Sequence, residues 1–111
     1  MAKVYVPQQP SRYDAALNLW VPIMNLDPAK KHGEILIMFP PDGNRLQTAP
    51  MIQAMKHIMK DYSPDDWVVA VGDPSMIAAA ACIACGRTKG LLRLLKWDRM
   101  TSDYISVEAT I

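Results

Sequence analysis

Three groups of residues have types and spacings that could do chemistry, and each also has a plain structural reading. Cys82-Ile-Ala-Cys85 has the spacing of a redox dithiol or of half a zinc site. Redox pairs of this kind sit at a helix N-terminus, where the dipole lowers the thiol pKa. Here the pair follows four alanines, Ala78 to Ala81, and precedes Gly86, so it closes a helical run rather than opening one. The dipole then acts the other way. Zinc would need two more ligands, and the only histidines, His32 and His57, have no partner at ligand spacing. Both cysteines read as packing residues with hidden thiols. His57 lies beside the polar face of a helix and reads as a surface histidine. No Ser-His-Asp or Cys-His arrangement is supported, so no catalytic residue, metal or cofactor is assigned.

The second group is a strand-end crevice, where ligands bind in open α/β sheets. Three loops would meet there: Pro40 to Arg45, Gly72 to Ser75, and Trp97 to Thr101. They bring Asn44, Arg45, Gly72, Asp73, Ser75 and Arg99 together around a helix start that could hold a nucleotide or small anion. Against this, Asp73 is explained as an N-cap whose charge would repel a phosphate. Asp42-Gly43-Asn44 is ordinary turn chemistry, and the chain lacks a glycine-rich phosphate fingerprint.

The third group is a basic and aromatic surface on the C-terminal hairpin: Arg93, Lys96, Trp97, Arg99 and Tyr104. Cations for phosphate and rings for stacking would suit single-stranded nucleic acid. The same residue types dominate protein interfaces, and edge-strand charges that block aggregation look alike. The net charge of +1 weakens the nucleic-acid reading and favours a protein partner.

The elements that must position these groups follow from hydrophobic period. Trp67 to Val71 is a buried strand, Gly72 a turn, and Asp73-Pro74 the capped start of a helix running to about Cys85, with Gly86 as its stop. Glu34 to Phe39 is a continuous apolar run, as in a strand buried on both faces, ended by Pro40-Pro41. Thr48 to Tyr62 has Met51, Ile52, Met55, Ile58 and Met59 at helical spacing. Leu91 to Trp97 and Tyr104 to Ile111 form a hairpin, with Ile105, Val107, Ala109 and Ile111 facing in and Tyr104 facing out. Residues 2 to 6 make a short strand. Residues 7 to 33 are proline-punctuated yet apolar. They predict a short helix near 12 to 19, a covering loop, and a helical turn from Asp27 to Gly33.

The expected fold is a small single α/β domain spanning 1 to 111, with two main helices in the order β-β-α-β-α-β-β. Its sheet would be mixed, of four to five strands. Residues 35 to 39, 67 to 71 and 91 to 96 should be adjacent parallel strands. At 111 residues there is room for one core. No apolar run is long enough to span a membrane, and the N-terminus has no signal-like region, so a cytoplasmic protein is expected.

Gly33 to Pro41, Val71 to Ala81, Leu94 to Arg99 and Tyr104 to Glu108 resemble, in order and spacing, a family of small uncharacterised proteins of tailed bacteriophages and marine phage. That resemblance implies a phage protein made in a bacterial host's cytoplasm. It carries over no functional residue. The leading expectation is a non-enzymatic accessory or host-takeover protein that binds a host or phage protein partner through a sheet edge, the 91 to 111 hairpin and the 2 to 6 strand. Single-stranded nucleic acid and the strand-end ligand are the rivals, and a homo-oligomer stays open.

Overall fold

Val4, Tyr5, Val6 and Pro7 are all buried, which places the first strand inside the sheet rather than at its edge. The computed structural model describes residues 2–41 and 48–111. Its strands are β1 (Lys3–Gln8), β2 (Ser11–Asp14), β3 (Leu19–Pro22), β4 (Glu34–Phe39), β5 (Trp67–Val69), β6 (Leu91–Asp98) and β7 (Asp103–Thr110). Helices α1 (Thr48–Ile58) and α2 (Pro74–Arg87) flank β5, and a 3-10 turn spans Asp27–His32. Five strands form one mixed sheet in the order β4-β1-β5-β6-β7; β2 and β3 form a separate pair. β4, β1, β5 and β6 run parallel, and β7 returns antiparallel along β6.

The α/β class, the mixed sheet and the two helices are as expected. The strand order differs in one respect. β4 and β5 are parallel but not adjacent, because β1 lies between them. The strand expected at a contact edge is therefore the most buried one. β4, the most apolar run, is an edge strand whose Ile37 is 42% exposed.

The two faces of the sheet are covered differently. Tyr5, Met38 and Val68 pack under α1 and α2, against Met55, Met59, Met76, Ala80 and Ala84. The alanines of α2 add no bulk, so its axis lies close to the strands. Val4, Val6, Val69 and Leu95 face the other way, beneath Ala29 of the 3-10 turn, with Met24 and Leu26 beside them. The covering loop and the helical turn after Asp27 are thus where the sequence placed them.

Residues 12 to 19 are not a helix. They belong to the β2–β3 hairpin, whose Tyr13 pairs with Trp20 and whose chain reverses over residues 15–18, with Asn18 at φ +53°. An asparagine in that conformation is a turn residue, and the Pro22 that bounds the pattern ends a strand. Smaller boundary shifts follow local chemistry. β5 stops at Val69, α1 at Ile58, and α2 runs one residue past Gly86 before Lys89 and Gly90 take positive φ.

Candidate interaction surface

Asp73 caps α2: its carboxylate accepts the Ser75 N–H at 3.0 Å, and Pro74 fills the first turn. Gly72 sits at φ +107°, with Gln8 packed where a side chain would go. Gln8 ends the inner strand β1. Its amide oxygen accepts the Asp73 N–H at 3.2 Å, and its Nε2 donates to the carbonyls of Pro40 and Pro41 at 3.2 and 3.4 Å. This one side chain therefore spans the point where connections leave β1 and β5 in opposite directions, the usual ligand crevice of such a sheet. Gly72, Asp73 and Ser75 are together as expected, but Gln8 bridges the mouth beside them. Asn44 and Arg45 lie outside the described residues, as does Asp42. Arg99 is exposed in the β6–β7 turn.

The five residues of the C-terminal hairpin do not share one surface. Arg93 stands 3.7 Å over the Trp67 ring, donates to the Pro64 carbonyl, and lies 3.4 Å from Glu108 through its Nε. That last approach is an ion pair without hydrogen-bond alignment, since the Nε is buried without a partner among the described residues. The guanidinium thus clamps β6 to the loop before β5. Trp97 and Tyr104 face each other across the ladder, ring centroids 5.1 Å apart. Tyr104 is 4% exposed, its hydroxyl donates to the Asn25 carbonyl at 3.0 Å, and burial raises its pKa. The expected outward Tyr104 and inward Ile105 are therefore reversed; Ile105 is 43% exposed. The segment from Asn25 to His32, whose contacts are far away in sequence, claims the tyrosine. Lys96 pairs with Ile105 on the opposite face and is exposed.

Beside Arg93, His32 lies edge-on to Trp67 at 5.4 Å, with its Nε2 buried and unpartnered among the described residues. Burial holds its pKa below 6.5; the Lys31 charge adds to this, Asp103 opposes it, and Arg93 contributes least. Lys31 in turn bonds to Asp103, whose carboxyl is held below the usual range mainly by that contact. Between the lowered pKa and 6.5 the unfolded chain binds a proton that the folded chain does not, so stability falls as pH drops through that window. Urea midpoints at about pH 7.5 and about pH 5 should differ less in His32→Phe than in the unmodified protein. An unchanged difference would remove His32 as the cause.

The thiols are not both hidden. Cys82 is exposed and Cys85 half-buried, because the side of α2 that faces the sheet is the one that carries Met76, Ala80 and Ala84. With Ala81, Leu92 and Ile111 they line an open apolar hollow of about 350 Å³. Cys82 should therefore react with a thiol reagent in the native state, well ahead of Cys85. Mass spectrometry of a time course, with Cys82→Ala as control, checks the order. Among the described residues no group of three or more His, Cys, Asp or Glu is placed to hold a metal ion.

Five of the nine large hydrophobic side chains exposed among the described residues gather at a feature that hydropathy alone did not single out: the β2–β3 hairpin. It pairs with no strand of the main sheet. Tyr13, Leu17, Leu19, Trp20 and Ile23 are 40–61% exposed on or beside it. Its aromatic pair meets edge to face at 5.7 Å, and the Tyr13 hydroxyl bonds to Asn18. The turn is held by Asp14, which accepts the N–H groups of Ala16 and Leu17 through one oxygen. The signal for it was weak: Tyr13 is the one strong strand former of Ser11–Asp14, four turn residues follow, and Leu19–Val21 is a short apolar run closed by Pro22.

A family model described as phage Pam3 gp32-like protein matches residues 2–111. The chain belongs to that family. It is accordingly a phage protein, and the match takes in both the main sheet of this gp32-like family member and its hairpin arm. Comparison with curated proteins and with solved structures gives no match. Among the described residues no helix is long and apolar enough to cross a membrane.

Proposed function

We propose that the chain is a phage accessory protein that works by binding a host or phage protein in the host cytoplasm, with no reaction of its own. The contact is a sheet edge, as the sequence suggested, but it is that of the β2–β3 arm. The observation that supports this reading is the arm itself. An isolated two-stranded hairpin is marginal in water, and this one leaves five large apolar side chains exposed away from the core. Trp and Tyr are the residue types that anchor protein interfaces.

Single-stranded nucleic acid fits less well. Trp97 and Tyr104 pack edge to face against each other and under the covering segment, and Arg93 is held by Trp67, Pro64 and Glu108. A tagged copy recovered from infected cells should carry the same protein with and without nuclease. Trp20→Ala should lose that protein while keeping its fold by circular dichroism. Recovery that depends on nucleic acid, or that survives Trp20→Ala and Tyr13→Ala together, would overturn the proposal.

A further inference from the structure

The arm has two outer edges, and their backbone chemistry differs. The Ile23 N–H donates to the Pro10 carbonyl at 3.0 Å, which makes Pro10 and Ile23 a hydrogen-bonded pair in register with Ser11–Pro22. Such pairs alternate along an antiparallel ladder. Arg12 and Asp14 therefore turn their backbone groups toward β3, while Ser11 and Tyr13 turn theirs outward. On β3 the outward positions are Trp20 and Pro22, and proline has no N–H to give. The β3 edge is blocked and the β2 edge is open.

The β2 edge also complements itself. Laid antiparallel against a second copy with Tyr13 on the two-fold axis, Arg12 falls opposite Asp14 of the other strand, twice over. The two Tyr13 residues then form the hydrogen-bonded pair, exchanging both backbone bonds. Arg12 and Asp14 form the closer, non-hydrogen-bonded pairs, where oppositely charged side chains attract. Asp14 uses only Oδ1 in its own turn, so Oδ2 is free for the guanidinium. Arg12 is exposed and has no ion pair among the described residues. The edges of the main sheet lack this property: β4 carries only Glu34 and β7 only Asp103 and Glu108 as charged residues, all of one sign.

We infer that the protein self-associates as a two-fold dimer through β2, joining two arms into one four-stranded sheet. The contact is isologous and closes on itself, so it yields dimers rather than filaments. It places Trp20, Tyr13 and their two symmetry mates on one face. The inference rests on the reading of the arm as a contact element and gives that reading a composite surface.

Sedimentation of the purified protein tests it. The chain should run at twice its mass of 12.4 kDa. Arg12→Glu and Asp14→Lys should each weaken association by at least about tenfold, because two attractions become two repulsions. Mixed in equal amounts, the two variants should dimerise again. The introduced glutamate of one copy then meets the introduced lysine of the other, and the Asp14 and Arg12 left unchanged face each other across the second pair. Should Asp14→Lys loosen the turn, Tyr13→Pro decides, as it deletes an N–H that only the second copy would use. A monomeric unmodified protein, dimeric single variants, or folded variants that fail to restore each other would overturn the inference. Dimers that capture no protein would instead overturn the proposed function alone.

Discussion

Gly72→Val is expected to cost about 3–5 kcal/mol, a large part of the stability of a chain this size. Two independent effects add. Gly72 holds φ at +107°, a conformation that a β-branched residue resists. A Cβ there would also lie 2.8 Å from the Gln8 Cβ and 2.9 Å from the Gln8 carbonyl oxygen. Those atoms belong to the end of the inner strand β1 and cannot retreat without breaking the bonds from Gln8 to Asp73, Pro40 and Pro41. Gly86 makes the control. A Cβ there meets nothing within 4 Å, and the residue is inside α2. Gly86→Ala should therefore stabilise by about 0.5–1 kcal/mol in the same urea titration. If Gly72→Val unfolds at the unmodified midpoint, the turn does not need glycine.

What the sequence made legible was local, and what it hid was long-range. The strand–turn–helix of residues 67 to 87 could be read because its cap, its proline and its glycine lie within a few residues of one another. Burial was harder. The run Glu34 to Phe39 looks like a doubly covered strand, yet it is β4 at the sheet edge. The short alternation at residues 3 to 6 is an inner strand, β1, between β4 and β5. Hydropathy reports what a strand would tolerate, not which neighbours the crossovers bring it. The β6–β7 hairpin was legible as a ladder but its near end was assigned the wrong face. Tyr104 is held by the Asn25 carbonyl, 79 residues away in sequence, which no periodicity encodes.

The interaction surface was harder still. Arg93 and Trp97 have the composition of a hot spot, but composition does not say whether a guanidinium is already engaged. Trp67 takes the Arg93 charge and Tyr104 takes the Trp97 ring. Meanwhile residues 12 to 19 read as a short helix, and Ser11 followed by Asp14 has the outline of a cap for it. Asp14 does accept backbone N–H groups, but those of its own turn, Ala16 and Leu17. The same side-chain chemistry serves a helix start and a hairpin turn, and only the pairing of Tyr13 with Trp20 tells them apart.

Asp66 carries the second large expectation. In the sequence Ser63-Pro64-Asp65-Asp66 it is one more turn residue; in the fold it is 4% exposed. Its carboxylate accepts the Lys3 N–H at 2.8 Å and the Ser63 N–H at 2.9 Å, with the Ser63 hydroxyl at 3.3 Å. The first of these ties the start of β1 to the loop that feeds β5. The Tyr62 hydroxyl closes the same turn by donating to the Asp66 carbonyl at 3.1 Å, and burial pushes that phenol's pKa well up. Removing the carboxylate strands backbone donors in a partly buried place, at about 1–3 kcal/mol each. Asp66→Ala is therefore expected to lose about 3 kcal/mol or more in urea unfolding. Asp66→Asn keeps an acceptor for one donor but turns an amide toward the other, so it should lose about half as much. The exchange of the Lys3 amide hydrogen should speed up in both variants, more in Asp66→Ala. Equal stability of Asp66→Ala and the unmodified protein would mean that other groups, not this carboxylate, hold β1 in place.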